Sequence, residues 1–500
     1  MSTHRRAPGR ICLALGLAAA LPAGVAAGPL PLDPAGFYPA AGSTEVCPDT
    51  RLRLHFSSQP SFGAGRFVRV YAAEDRRLVA AIDVGAPAAT QAIGGISGFN
   101  YRPVLLAGGD AQLVLPNQAL AYGSAYYVTV DAGAFSVAGE ACAAIREPSV
   151  WSFKTRASPP AAGAAQLTVA ADGTGDFCTL QGALDFLPAG SRAPTTIVLR
   201  AGTYAEIVAF ASKHRVTIRG EDRHRSVLEY ANNARFNPGN GNPYAPGAGP
   251  AAAGARPRGI YHRGVFLADQ ADELVLANLT IRNTTPQGGS QAEAIILNGG
   301  AGARAVLKDV DLTSYQDTLQ INGQAYVEDC FITGDVDFLW GKGPCFFEDC
   351  TFRARRSGAY YTQVRNPAAS HGFVFQRCVF DGAPGIRDNY LARIEMNRFP
   401  ASEVVLLDCT LGPSVGAAGW QLQGSPPGIR APGTIHFWES GSHDPAGRPI
   451  DPRPRLAGSR QLDGTADAAL LARYADPIYV LGGSWDPRPE VRRLAAAPGP

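Results

Sequence analysis

Asp317 and Asp337 stand twenty residues apart, each seven residues past a matching position, Val310 and Cys330, of two consecutive copies of an internal repeat. If each copy is one rung of a stacked coil, the two carboxyls lie on neighbouring rungs, separated by about 4.8 Å. Held so close, they resist ionising together. One is driven toward its acid form while the other remains a base or nucleophile, which is the asymmetry that hydrolysis needs. Taken alone, an acid at a matching position on two rungs is also what a solvated ladder on the outside of a coil presents.

The repeat that would position them reads apolar, any, Asn/Asp/Arg, apolar or Cys, any, apolar. It recurs as Leu276 to Ile281, Leu307 to Leu312, Val327 to Ile332, Phe347 to Phe352, Phe375 to Phe380 and Leu406 to Leu411. From Leu279 through Val310, Cys330, Cys350 and Cys378 to Cys409 the steps are 31, 20, 20, 28 and 31 residues, a shortest rung plus variable loops. The alternation of short β-rich segments excludes a helical repeat, whose apolar spacing would be three and four. Leucine-rich repeats require regular Leu and Asn positions that are missing here. An all-β coil, a parallel β-helix, is the expected fold, with aliphatic stacks inside and a long groove along one face.

Five hundred residues at 46% hydrophobic and 18% charged allow two domains with sizeable cores. Residues 1–27 read as a signal peptide: His4, Arg5, Arg6 and Arg10, an apolar run from Ile11 to Ala20, then Val25-Ala26-Ala27 as a cleavage site. The chain is therefore expected in the periplasm or secreted, with no membrane span. Removing that segment takes the formal charge from +2 to −1, since it holds three arginines and no acid. Such a surface argues against a nucleic-acid partner. Cys47 and Cys142, near opposite ends of the first domain, could staple it. Cys330, Cys350, Cys378 and Cys409 share one repeat position and should stack as buried thiols, a ladder being unlike any compact zinc motif.

Residues 28–157 read as a small antiparallel β-sandwich, with strand-like runs at Arg51 to Phe56, Phe67 to Tyr71, Leu113 to Leu115, Ala125 to Val130 and Trp151 to Lys154. Residues 158–165 follow as an Ala/Pro/Gly-rich linker and residues 166–488 as the coil, with a flexible tail at 489–500. Thr179 to Leu187 is helical in pattern and would cap the open end of the coil. Ala231 to Arg258, rich in Gly, Ala, Pro and Asn, is expected as a long exposed loop. Asp335 is expected at solvent or capping a turn, and Tyr204 and Glu206 in structural roles.

Several blocks, in order, carry a resemblance: Gly202-Thr203-Tyr204-Ala205-Glu206, Gln291-Ala292-Glu293-Ala294, Gln316-Asp317-Thr318-Leu319, Gly334-Asp335-Val336-Asp337-Phe338-Leu339-Trp340-Gly341 and Tyr390-Leu391-Ala392-Arg393. Together they resemble the signature blocks of pectin methylesterases, over about residues 167 to 488. The N-terminal region loosely resembles bacterial immunoglobulin-like modules. The resemblance implies a right-handed parallel β-helix preceded by a small immunoglobulin-like β-sandwich, acting as a monomer on pectin without metal or organic cofactor. It further implies Asp337 as nucleophile on the C6 methyl ester of galacturonate, Asp317 as acid/base and Arg393 as the partner of the nucleophile. Gln291 and Gln316 would hold the oxyanion, and Phe338, Trp340 and Trp420 would line the sugar-binding wall.

The chain departs from the family where Ile394 and Glu395 replace the usual Pro and Trp after Arg393. A carboxylate there would repel de-esterified chains, so highly methylated or short substrates are expected to be preferred. His371-Gly372 is similar to a polygalacturonase element, but no matching Asp cluster accompanies it. Two other functions fit the same residues: a related β-helix thioesterase or other esterase, and a noncatalytic polysaccharide-binding surface protein.

Overall fold

The computed structural model describes residues 30–239, 261–426 and 428–496. The expected signal peptide lies outside them, as do most of the 231–258 loop and residues 497–500. From Gln166 onward the chain winds as a parallel β-helix. A parallel sheet of seventeen strands runs from Gln166–Val169 to Arg460–Gln461, and a second of eight strands from Val208–Ala211 to Trp420–Leu422. The rung steps of the repeat are those of the strand register: Leu279 pairs with Val310, Asp311 with Phe331, Phe331 with Thr351, Thr351 with Val379 and Val379 with Thr410.

Each repeat position has a physical reason. Leu276, Leu307, Val327, Phe347, Phe375 and Leu406 stack inside the coil, with the Phe347 and Phe375 rings 4.6 Å apart and nearly parallel. Asn278, Asp309, Asp329, Asp349, Arg377 and Asp408 all adopt φ between 52° and 56°. They turn the corner between two strand segments in the left-handed region, which Asn and Asp tolerate best among residues with a side chain. The cysteines that follow are buried, and each points its thiol at backbone carbonyls, as Cys330 does toward Leu307 and Glu328 at 3.7 and 3.3 Å. They are core thiols, as the spacing indicated.

Helix α1 (Leu180–Phe186) closes the open end, with Thr179 Oγ1 accepting from the Gly182 N–H. Glu206 accepts the N–H groups of Leu180 and Gln181, so its role is to anchor that helix. At the other end, α2 (Ala468–Tyr474), α3 (Pro477–Val480) and α4 (Arg488–Ala496) cover the outer face of the long sheet, packing on Val275, Val306, Tyr326, Phe346, Val374 and Val405. The tail expected to be flexible from 489 is thus helical to Ala496, pinned by Val491. Among the described residues no helix is long and apolar enough to cross a membrane.

The preceding β-sandwich sets a four-stranded sheet, including Leu52–His55 and Asp110–Leu113, against a five-stranded one, including Phe67–Ala72 and Ala125–Val130, over one shared core. Its cysteines correct the expected staple. Cys142 lies within the sandwich core, whereas Cys47 sits at the boundary with the coil, its thiol 3.9 Å from the carbonyls of Gly173 and Gly175. No Cys47–Cys142 bond forms, because the two residues belong to different packing environments. One hairpin of this region, β1 (Ala89–Ile93) and β2 (Ile96–Tyr101), leaves the sandwich and buries Ile93, Ile96 and Phe99 in the core of the coil.

The 231–239 stretch corrects another expectation. Asn232 and Asn237 are fully buried, and Asn232 Nδ2 donates to the carbonyls of His262 and Gly264 at 2.7 Å each. An Asn-rich composition here serves buried hydrogen bonding, where a solvated loop was expected.

Candidate active site

Five strands of the eight-stranded sheet build the site: β3 (Ile295–Asn298), β4 (Leu319–Ile321), β5 (Val336–Gly341), β6 (Tyr360–Val364) and β7 (Tyr390–Ile394). Ile295 pairs with Leu319 and Leu319 with Leu339. Two residues before those partners, Glu293, Asp317 and Asp337 form a file of three carboxylates on successive rungs. The Asp317 N–H donates to the Val336 carbonyl at 3.0 Å, tying the two aspartate corners together. Asp317 (φ 66°) and Asp337 (φ 49°) both occupy the left-handed region. Such conformations concentrate where a side chain must be aimed away from the regular pleat.

A bulge fixes the second of them. Between Val336 and Leu339, β5 advances three residues while β6 advances two, from Tyr360 to Thr362, so one extra residue is accommodated at Asp337–Phe338. Phe338 turns inward and packs on Tyr361, its ring centroid 5.2 Å away. Gly334 permits this, since a β-carbon there would lie 2.1 Å from that of Phe338.

Arg393 grips Asp337 with both prongs: Nε donates to Oδ1 at 2.9 Å and Nη2 to Oδ2 at 2.6 Å. Its guanidinium lies 4.0 Å from the centre of the Tyr360 ring, which fixes the plane of the fork. Burial pushes the Asp337 carboxyl up, and Arg393 pulls it back toward its ionised form. Burial drives Asp317 well above the usual carboxylate range; Arg263 opposes this, while Glu293 and Asp337 reinforce it. The two acids therefore hold unlike environments, one with a bidentate cation of its own and the other sharing one.

Three charged residues of the site escaped the sequence reading. Arg263 bridges the file from the side, with Nε and Nη2 on Glu293 and Nη2 also on Asp317 Oδ2 at 3.0 Å. Arg365 exerts its charge on both aspartates and stacks 5.0 Å from the Trp340 ring centre. Glu293 is fully buried behind Arg263. Glu293 lies in a block already singled out, two residues past Gln291, but a lone Glu there carried no spacing signal; the step from β3 to β4 is 24 residues, outside the 20-residue period.

Gln316 and Gln291 are half-buried on adjacent rungs, joined by the Ala292 N–H donating to the Gln316 carbonyl at 3.1 Å. Gln291 Oε1 accepts from Ser290 Oγ at 3.0 Å. Of the three aromatic residues expected in the sugar wall, two are packed into the core. Phe338 and Trp420 are at most 1% exposed, the latter stacked on Phe437, so neither offers a platform. Trp340 is 4% exposed and sits among Arg263, Arg365 and Tyr261. Asp335 is buried, not solvated, and accepts from Gln287 Nε2 at 2.9 Å. Glu395 is held by Arg398 at 2.7 Å, so the repulsion expected of it is offset. His371 belongs to a structural cluster around Glu403.

A cavity of about 780 Å³ opens beside Arg365, lined also by Lys342, His371, Arg398, Phe399 and Tyr479. Two others, of about 260 and 510 Å³, lie between sandwich and coil around Arg51 and Glu206, away from the acids. Cys47, Asp49 and Cys178 could bring three ligand atoms within 4.8 Å of one another. The Asp49 carboxylate is already filled by the N–H groups of Cys178 and Thr179 and by Thr179 Oγ1, so this group anchors α1 and does not suit a metal.

Residues 251–471 match the pectinesterase family. The chain is 28% identical to Pectinesterase 31 of Arabidopsis thaliana over 260 residues, which cover 51% of this chain and 77% of that protein. It is 25% identical over 334 residues to Pectinesterase/pectinesterase inhibitor U1 of Solanum lycopersicum, covering 64% of this chain and 51% of that one. The chain thus spans about half the length of the latter. The solved pectin methylesterase from carrot shares the fold, with a TM-score of 0.51 at 20% identity over 66% of this chain and 96% of that structure.

Proposed function

We propose that the chain, whose residues 251–471 match the pectinesterase family, is a carboxylic ester hydrolase removing methyl esters from the galacturonate residues of pectin, releasing methanol and pectate. A polymer of plant cell walls as substrate fits the expected export of the chain. The observation that carries the proposal is the pairing of Asp337, forked by Arg393, with Asp317 one rung away.

Arg393 uses one lone pair on each Asp337 oxygen and leaves the others free. An Asp337 oxygen attacks the C6 carbonyl carbon, and the carbonyl electron pair moves onto oxygen. Gln291 and Gln316 supply amide N–H donors for that oxyanion, each worth about 3 kcal/mol in comparable hydrolases. As the oxyanion collapses, the bond from C6 to the methoxy oxygen breaks. Asp317, kept in its acid form by burial, gives the departing oxygen its proton, and methanol leaves an acyl anhydride on Asp337. The Asp317 carboxylate then takes a proton from water, the hydroxide attacks C6, and the anhydride bond breaks to regenerate the Asp337 carboxylate.

The test is methanol release from methylated pectin. Asp337→Ala and Asp317→Ala should each reduce it by about three orders of magnitude while melting near the parent. Retention of release by a folded Asp337→Ala would remove the nucleophile from the scheme.

A further inference from the structure

Glu293 stands on the rung before Asp317, fully buried, with both oxygens committed to one guanidinium. Arg263 Nε lies 2.9 Å from Oε1 and 2.8 Å from Oε2, and Nη2 lies 2.7 Å from Oε1. That same Nη2 donates to Asp317 Oδ2 at 3.0 Å. A guanidinium stays protonated at any accessible pH, so whatever it touches must accept. Asp317 Oδ2 is therefore an acceptor, and the proton of the acid form is carried on Oδ1. Left with Asp317 as its sole anionic partner, Arg263 would hold that carboxyl ionised, the wrong state for protonating a departing methoxide.

Resting on the ester-hydrolase reading above, we propose that Glu293 is a positioning residue: it neutralises Arg263 and so reserves Asp317 as the proton donor. The other charged groups facing Asp317 are Asp337, itself matched by Arg393, and Arg365. The Tyr261 ring, 4.4 Å from the Arg263 guanidinium carbon, holds the cation in place from its other side. Glu293 thus touches no reacting atom; it acts on Asp317 by balancing Arg263 and by its own charge one rung away.

The experiment is the pH profile of methanol release by the full chain. Glu293→Gln removes the balancing charge, stabilises ionised Asp317, and should move the alkaline limb to lower pH by about one unit. The double variant Arg263→Met/Glu293→Met deletes both charges together, a replacement that buried pairs often tolerate. Because Arg263 donates directly to Asp317 at 3.0 Å, its loss should outweigh that of Glu293, and the limb of the double variant should move to higher pH. A limb unmoved in Glu293→Gln, or a double variant shifted to lower pH, overturns the proposal; should Glu293→Gln not fold, Glu293→Asp, which draws the carboxylate back from Arg263, decides by the same shift to lower pH or its absence. The infrared band of the protonated carboxyl, assigned by its loss in Asp317→Asn, reports the same titrations without substrate. Absence of methanol release from the parent would then refute the hydrolase reading alone, leaving the role of Glu293 to the infrared shift.

Discussion

Arg393 is the residue on which the charge state of Asp337, the proposed nucleophile, turns. Burial favours protonated Asp337, and the fork of Arg393 favours the carboxylate. Arg393→Ala removes the opposing influence, so the folded-state pKa of Asp337 rises and the ionised nucleophile is present only at higher pH. The acidic limb of the rate profile should accordingly move up, while the alkaline limb, which reports Asp317, stays near its place. Arg393→Lys keeps the charge but loses the planar fork, and should lower kcat about ten- to a hundredfold with a smaller shift of that limb. These residues were legible in the sequence because the coil repeats: a period of twenty residues makes Asp317 and Asp337 neighbours, and Arg393 follows in the family's block order. Arg263, Glu293 and Arg365 were not, since they reach the site across loops of irregular length. Phe338 and Trp420 were misread because an aromatic residue beside a catalytic block looks the same whether it faces sugar or core.

Rungs were readable and their coverings were not. The inner stack and the left-handed corner impose residue types at fixed spacing, whereas the C-terminal helices pack on the outer face through scattered contacts without period. Glu403 joins the two. Its buried carboxylate accepts from the Tyr474 hydroxyl of α2 at 2.7 Å and lies 2.8 and 2.6 Å from the Nδ1 atoms of His371 and His436. Against the effect of burial, these partners pull its pKa down from 4.5 to about 2. With the folded-state value depressed, the stabilisation is full above the unfolded value and fades as pH falls toward about 2. Glu403→Gln should therefore lower the melting temperature at neutral pH, with the gap from the parent closing as the medium is acidified. Amide exchange in residues 468–496 should accelerate in the same variant, because Tyr474 loses its charged acceptor. An equal difference in melting temperature at all pH values would show that Glu403 contributes packing alone.

At the scale of the whole molecule, the N-terminal region is joined to the candidate site by its hairpin. Gly94 and Gly95, at φ 57° and 83°, form the two-residue turn between β1 and β2, and a β-carbon on Gly94 would stand 1.8 Å from the Ala209 carbonyl oxygen of the coil. The hairpin therefore docks through bare backbone. Beyond that turn, Phe99 stacks on His262 with ring centres 4.2 Å apart, and Asn100 exchanges hydrogen bonds with Asn237, which in turn holds Asn232 against the carbonyls of His262 and Gly264. Arg263 is thus fixed on both sides by residues that depend on the hairpin. Gly94→Ala should force the turn away from the coil, lowering stability by about 1–3 kcal/mol and also reducing methanol release well below the melting temperature, because Arg263 loses its support. Leu54→Ala, in the sandwich core remote from the hairpin, should destabilise by about 2–5 kcal/mol yet leave the rate of the folded protein at the parent value. Denaturant melts paired with initial rates distinguish the two. Were Gly94→Ala to lose stability but keep its full rate, the hairpin would be a strut between two bodies, with no hold on Arg263.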